Sequence, residues 1–182
     1  MVWTSTTISI FCLVFQGFSA NYPVSSFGHN LKIRKKQSKK LGKADQIGMY
    51  KTDALADNLR EIAPYIELEE YTERITEDNA VKLLQSANII CEAFDDAECK
   101  AMLTNTVLSE MPNKYLVAAS GMAGMGTTNS IRTRRITSRL YLCGDETSEV
   151  SDGIGLVAPR VALCAAHEAH TVLRILAKQF EV

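Results

Sequence analysis

From Asp45 to the C-terminus, strand-length apolar runs alternate with stretches of helical periodicity, and this alternation restricts the fold more than any other feature. Met49–Ile62 sets Leu55, Leu59 and Ile62 at helical spacing, and Pro64 ends the helix. Tyr65–Glu70 alternates as a strand does. Thr76 has the character of an N-cap, with Glu77 and Asp78 favourably placed in the first turn of a helix reaching Gln85. Asn88–Ala93 is a short apolar strand, Ala97–Met111 an amphipathic helix closed by Pro112, and Tyr115–Ser120 a second buried-type strand. Asn129–Arg135 and Arg139–Cys143 are more polar and predict an antiparallel pair. Pro159 suits the first helical position of a long last helix, Val161–Leu176. Such an order predicts an α/β fold: a largely parallel, Rossmann-like sheet flanked by helices.

The N-terminal residues follow a different pattern. Ile8–Phe18 is an apolar run followed by Ser19 and Ala20, the outline of a secretory signal. No Lys or Arg precedes it, however, and cleavage after Ala20 would put bulky Phe18 at the −3 position. It is also too short to span a bilayer as a helix, so no membrane role is expected. Asn21–Lys43 begins with Pro, Ser and Gly. It then runs through Lys32, Arg34, Lys35, Lys36, Lys39, Lys40 and Lys43 without one acidic residue, as an exposed connector does. We therefore expect residues 1–43 to be an atypical segment and basic linker, with the domain spanning 44–182.

At 182 residues, 46% hydrophobic and 23% charged, the chain can bury one proper core. A net charge of −1 offers no argument for nucleic acid. The five cysteines show no CxxC spacing, so no structural zinc site is expected. Cys91 and Cys164 lie inside apolar runs and read as core thiols, which suits a reducing, cytoplasmic location.

Several residues are candidates for chemistry. A parallel sheet binds ligands at the carboxyl ends of its strands, and the strand ending near Phe94 delivers Asp95 and Asp96 there. A carboxylate in that place can hold magnesium against phosphates; it can equally cap the helix that begins at Ala97. Lys51, at the start of the first helix, can reach a phosphate held at the helix end, or be a plain surface lysine. Gly121-Met-Ala-Gly124-Met-Gly126 is spaced GxxGxG and precedes a strand, which excludes a dinucleotide fingerprint. Met122 and Met125 fit either adaptable apolar contacts or core packing. Arg132, Arg134 and Arg135 fit an acidic partner or an ordinary solvent-facing edge strand. Cys143 could handle sulfur, but nothing nearby in sequence lowers its pKa. Cys164, His167 and His170 do not converge on one metal and read as packing and surface positions.

Gly153-Ile-Gly-Leu-Val-Ala-Pro-Arg160, with the apolar helix after it, resembles the closing loop and helix of the ThiF/MoeB/HesA family. Ala93-Phe94-Asp95-Asp96, Gly48-Met-Tyr-Lys51 and Gly121–Gly126 also resemble segments of that family, from Asp45 to the C-terminus. The likeness is greatest to its sulfur-carrier adenylyltransferases of thiamine synthesis. The resemblance implies ATP-dependent adenylation of the C-terminal glycine carboxylate of a ThiS-like, ubiquitin-fold sulfur carrier, with ATP and Mg as cofactors. It assigns Lys51 and Asp95 to catalysis and to ATP and magnesium. Carrier contact falls to Gly121, Met122, Gly124, Pro159 and Arg160. Asp96 departs from the family's Asn. The family's GxGxxG loop, the acidic residue that holds the ribose and the Asn-Leu-Asn-Arg-Gln segment have no counterpart here. The first βαβ unit is therefore expected to be lacking, leaving an unpaired edge in the sheet for a partner or a homodimer mate to cover. A non-catalytic remnant that still binds the carrier is the alternative.

Overall fold

The computed structural model describes residues 10–13, 31–34, 51–65, 67–71, 73–94, 96–150 and 154–182; at 10–13, 31–34 and 51 only the backbone is considered. Seven strands are found among them: β1 (Ile10–Leu13), β2 (Leu31–Arg34), β3 (Leu68–Tyr71), β4 (Ile89–Glu92), β5 (Tyr115–Ala119), β6 (Arg132–Arg135) and β7 (Leu140–Gly144). They form one sheet in the order β3-β2-β1-β4-β5-β7-β6, with every neighbouring pair parallel except the antiparallel β6 and β7. The helices are α1 (Lys51–Ile62), α2 (Glu77–Leu84), α3 (Ala97–Glu110) and α4 (Ala158–Leu176).

The Rossmann-like expectation holds, and so does the antiparallel β6–β7 pair. The expectation of missing central strands is corrected. β1 lies between β2 and β4, so residues assigned to an extraneous N-terminal segment supply the middle of the sheet. The physical reason is visible in Ile10-Phe-Cys-Leu13. An apolar run without alternation is what a parallel strand requires when both faces are covered. Within the basic run, Lys32 and Arg34 belong to β2 and not to a linker. The edge beside β4 is therefore paired, and the described sheet ends on β3 and β6. Residues 14–30, which connect β1 to β2, lie outside the described residues.

Side-chain alternation along the central strands builds two cores. Ile90, Leu116 and Leu140 are in register across β4, β5 and β7. They pack with Ala80 and Leu84 of α2 and with Leu103 and Val107 of α3. The intervening residues Cys91, Val117 and Tyr141 face the other way, onto Cys164, Val172 and Ile175 of α4. Each fully buried Leu, Ile or Val contributes about 1.5–3 kcal/mol, so the two layers fix the strand register as well as hold it.

The helix ends follow local rules. The Thr76 backbone N–H donates to the Asn79 side chain at 2.8 Å, and Asp96 accepts from the Cys99 N–H at 2.8 Å as the N-cap of α3. In α1 the buried stripe is Thr52, Ala56 and Leu59, continued by Ala63, while Ile62 is exposed. The small residues carry the close approach that the larger apolar ones were expected to make.

Candidate active site

Strand order locates the ligand crevice. The chain runs from β1 outward through β2 to β3 on one side, then from β4 outward through β5 to β7 on the other. The crevice of such a sheet opens where the order reverses, at the carboxyl ends of β1 and β4. α1 joins parallel β2 to β3 and α3 joins parallel β4 to β5, so both helices run against the strands and start at this edge. α4 starts there too, because Arg160 in its first turn pairs with Asp145, just after β7. The N-termini of α1, α3 and α4 thus lie at the carboxyl edge, where orphan N–H groups and dipoles favour an anion.

Lys51 opens α1 at that edge. Its side chain, like the whole of Asp95, lies outside what the structure describes. By sequence Asp95 falls between Phe94, beyond the end of β4, and Asp96, the cap of α3. The capping alternative is realised by Asp96, which accepts from the Cys99 N–H. Helix N-termini at this edge suit a phosphate, and by residue type a lysine and a carboxylate are the groups that a magnesium nucleotide would require. Among the described residues, no three His, Cys, Asp or Glu side chains are grouped as a metal site.

Glu92 and Lys100 escaped sequence reading. Glu92 is 1% exposed, an unusual place for a carboxyl group. Lys100 Nζ reaches Glu92 Oε1 at 3.1 Å, Oε2 at 2.9 Å and the Ala119 carbonyl at 2.9 Å. The Phe94 N–H donates to Glu92 Oε1 as well. Burial raises the Glu92 pKa above its ordinary value, against the opposing pull of the Lys100 charge and these hydrogen bonds. A glutamate inside Ile89-Ile-Cys-Glu92 was the available signal, because a carboxylate rarely enters an apolar strand without a buried partner.

The glycine-rich segment and the loop before α4 come together. Gly124 N–H donates to the Gly155 carbonyl at 2.8 Å, and Ala123 forms an antiparallel bridge with Leu156. Gly121 and Gly144 have φ of +75° and +141°, and their backbones lie against Glu146 and Ser120. A Cβ on Gly144 would sit 1.7 Å from the Ser120 oxygen, so only glycine allows this approach. Met122 is half-buried against the α4-side core, whereas Met125 is 73% exposed. Ile154 and Leu156 are exposed on the facing loop. Pro159 is exposed in the first turn of α4.

Arg160 behaves differently from the surface contact expected of it. It is 4% exposed, and its guanidinium lies beneath the loop. One terminal nitrogen donates to the carbonyls of Gly126 at 2.7 Å and Thr127 at 3.0 Å; the other pairs with Asp145 Oδ2. Asp145 Oδ1 accepts from the Thr147 and Ser148 N–H groups at 3.0 and 2.9 Å. Burial pushes the Asp145 carboxyl up, but the Ser148 and Thr147 hydrogen bonds and the Arg160 charge outweigh it and hold the pKa below its ordinary value. Arg160 therefore shapes the candidate carrier-facing loop from below.

Cys143 is fully buried near the end of β7, 3.6 Å from Thr133 Oγ1. Burial, with the nearby Glu168 charge, pushes its thiol up to about 12. Such a thiol is a poor nucleophile at neutral pH. Cys91 and Cys164 are buried, as expected of core thiols. His167 bonds Thr133 Oγ1 through Nδ1 at 3.0 Å, and His170 is exposed. Arg134 pairs with Glu146 at 2.5 Å, and Arg132 is exposed on the edge strand β6. No described helix is long and apolar enough to cross a membrane.

An open, mostly parallel sheet flanked by helices, with its crevice at the switch point, defines a Rossmann-like α/β protein. Residues 37–182 match the ThiF family, and the chain belongs to that family. It is 21% identical over 141 residues to the adenylyltransferase and sulfurtransferase UBA4 of Lodderomyces elongisporus, covering 74% of this chain and 30% of that protein. The chain thus spans about a third of that relative's length. Among solved structures it resembles the E. coli tRNA N6-threonylcarbamoyladenosine dehydratase TcdA in complex with AMP. The TM-score is 0.76 at 14% identity, over 94% of this chain and 87% of that one. It also resembles HcgE of Methanothermobacter marburgensis, bound to guanylylpyridinol and ATP. There the TM-score is 0.65 at 12% identity, over 96% and 99% of the two chains. At such identities the likeness establishes the fold.

Proposed function

We propose that this chain adenylates the C-terminal glycine carboxylate of a ThiS-like, ubiquitin-fold sulfur carrier, the activation step that precedes sulfur loading in thiamine synthesis. The observation that carries this reading is that the start of α1, the β4–α3 connection and the Gly121–Gly126 and 154–160 loops lie along one carboxyl edge. Family membership and the ATP and AMP bound by structural neighbours support it.

Adenylation joins a carboxylate oxygen to the α-phosphorus of ATP and releases pyrophosphate, and magnesium supplies charge neutralisation of the phosphates. Lys51, at the positive end of α1, binds phosphate oxygens and stabilises the charge that grows on them. Asp95 would hold the metal. The loops 121–127 and 154–159 receive the carrier's tail, with Met122, Met125 and Pro159 as apolar contacts and Gly121 and Gly124 giving the backbone room. Arg160 keeps those loops in place. The chemistry takes place in the cytoplasm.

A thermal melt with and without Mg·ATP tests the site. Ligand at a hundredfold excess over Kd raises stability by about 2.7 kcal/mol if it binds the folded state alone. Lys51→Ala and Asp95→Asn are expected to abolish the shift. A folded wild type that ignores Mg·ATP would reject adenylation and favour the non-catalytic carrier-binding reading, which the absent GxGxxG motif also suggests.

A further inference from the structure

Glu92 and Lys100 are more than a packing detail. In β4, Glu92 has the same parity as Ile90 and so points to the α3 layer. On α3, Lys100 lies one turn before Leu103 on the stripe that continues to Val107. The pair therefore occupies the carboxyl-edge end of a core layer, a place where two apolar side chains would pack without any desolvation penalty.

What the pair does there is geometric. The three protons of Lys100 Nζ are taken by both Glu92 oxygens and the Ala119 carbonyl, which ties the ends of β4 and β5 to the first turn of α3. Glu92 also accepts from the Phe94 N–H, and Asp96 from the Cys99 N–H. The backbone is thus held on both sides of position 95, by Glu92 before it and by the cap after it. We propose that Glu92 and Lys100 are a positioning pair that sets the β4–α3 turn for the magnesium nucleotide. The inference rests on the adenylation reading. It assigns the pair no contact with substrate.

Replacing both residues by apolar ones of similar volume separates positioning from stability. Buried ion pairs exchanged for packed apolar side chains commonly leave stability unchanged or raised, so Glu92→Leu/Lys100→Met is expected to melt near the wild-type temperature. Its affinity for Mg·ATP should fall by about tenfold or more, the usual consequence of removing an outer support of a metal site. The magnesium concentration needed for half-maximal binding should rise, and Lys100→Arg, which keeps charge and donors, should bind close to wild type. Should the double variant lose its cooperative melt, Glu92→Gln carries the same comparison, with weaker nucleotide binding expected at a little-changed melting temperature. Wild-type affinity in the folded double variant, or in Glu92→Gln, overturns the positioning role and leaves adenylation standing. A wild type that itself shows no response to Mg·ATP overturns adenylation, and this inference with it.

Discussion

Arg160 is a cation in the first turn of α4, where the helix dipole disfavours positive charge, and it is buried. Asp145 and the carbonyls of Gly126 and Thr127 offset both penalties. Removing one member of such a pair leaves the other buried and uncompensated, so Arg160→Met should cost about 3–5 kcal/mol in a denaturant melt. The pH dependence has a definite sign. Because the folded pKa of Asp145 lies below 3.8, the unfolded state takes up its proton first on acidification. The stability due to Asp145 is therefore present above pH 3.8 and lost as pH falls through the lower folded value. Wild type should exceed Asp145→Asn in stability at neutral pH, with the gap closing in acid; a gap constant with pH would contradict the pairing. Cys143, its thiol pushed up to about 12, should resist iodoacetamide in the folded protein and react in urea, as mass spectrometry of labelled peptides would show. Native-state labelling of Cys143 would return it to consideration as a sulfur carrier. None of this pairing was legible in the sequence. Asp145 and Arg160 are separated by a loop, and no local period links them.

Among the elements, Gly144 shows how closely the two loops at the carboxyl edge are bound together. Ser120 N–H donates to the Cys143 carbonyl at 2.8 Å, and Glu146 N–H to the Ser120 carbonyl at 3.0 Å, which carries the β5–β7 pairing beyond the strand ends. Gly144→Ala sets a methyl group into backbone at a φ of +141°, with no flexible side chain able to give way. It should destabilise by about 2–4 kcal/mol in a denaturant titration, within the range for strained backbone and overpacking combined. Between Thr76 and Ala119 the elements were readable from sequence, because caps and breakers stand where the periodicities change. Thr76, Asp96 and Pro112 each mark a boundary found in the structure within a residue or two. α1 was readable as a helix, but its buried stripe was not. Leu55 and Ile62 suggested the wrong face, because Thr52 and Ala56 are too small to dominate a hydrophobic pattern.

At the scale of the whole molecule, β1 and β2 decide whether this is a complete sheet. A four-residue apolar strand carries too little period to distinguish it from part of a longer apolar run, and Ile10–Leu13 is embedded in such a run. The absence of GxGxxG after it removed the usual marker of a first strand. Topology supplies what sequence lacked, since β1 pairs with β2 on one side and β4 on the other. A chain beginning at Ala44 would leave β3 and α1 without their sheet neighbours, and should lose the cooperative thermal transition of the full chain. A cooperative melt of that shortened chain would show that the strands are dispensable. The placement of the nucleotide crevice at the β1–β4 switch point leads to one decisive assay. Incubated with ATP, magnesium, labelled pyrophosphate and a ubiquitin-fold carrier ending in glycine, the protein should return label to ATP only when the carrier's terminal carboxylate is present. Folded protein that gives no exchange with any glycine-ended carrier, while still binding that carrier, would contradict adenylation and leave a binding module in its place.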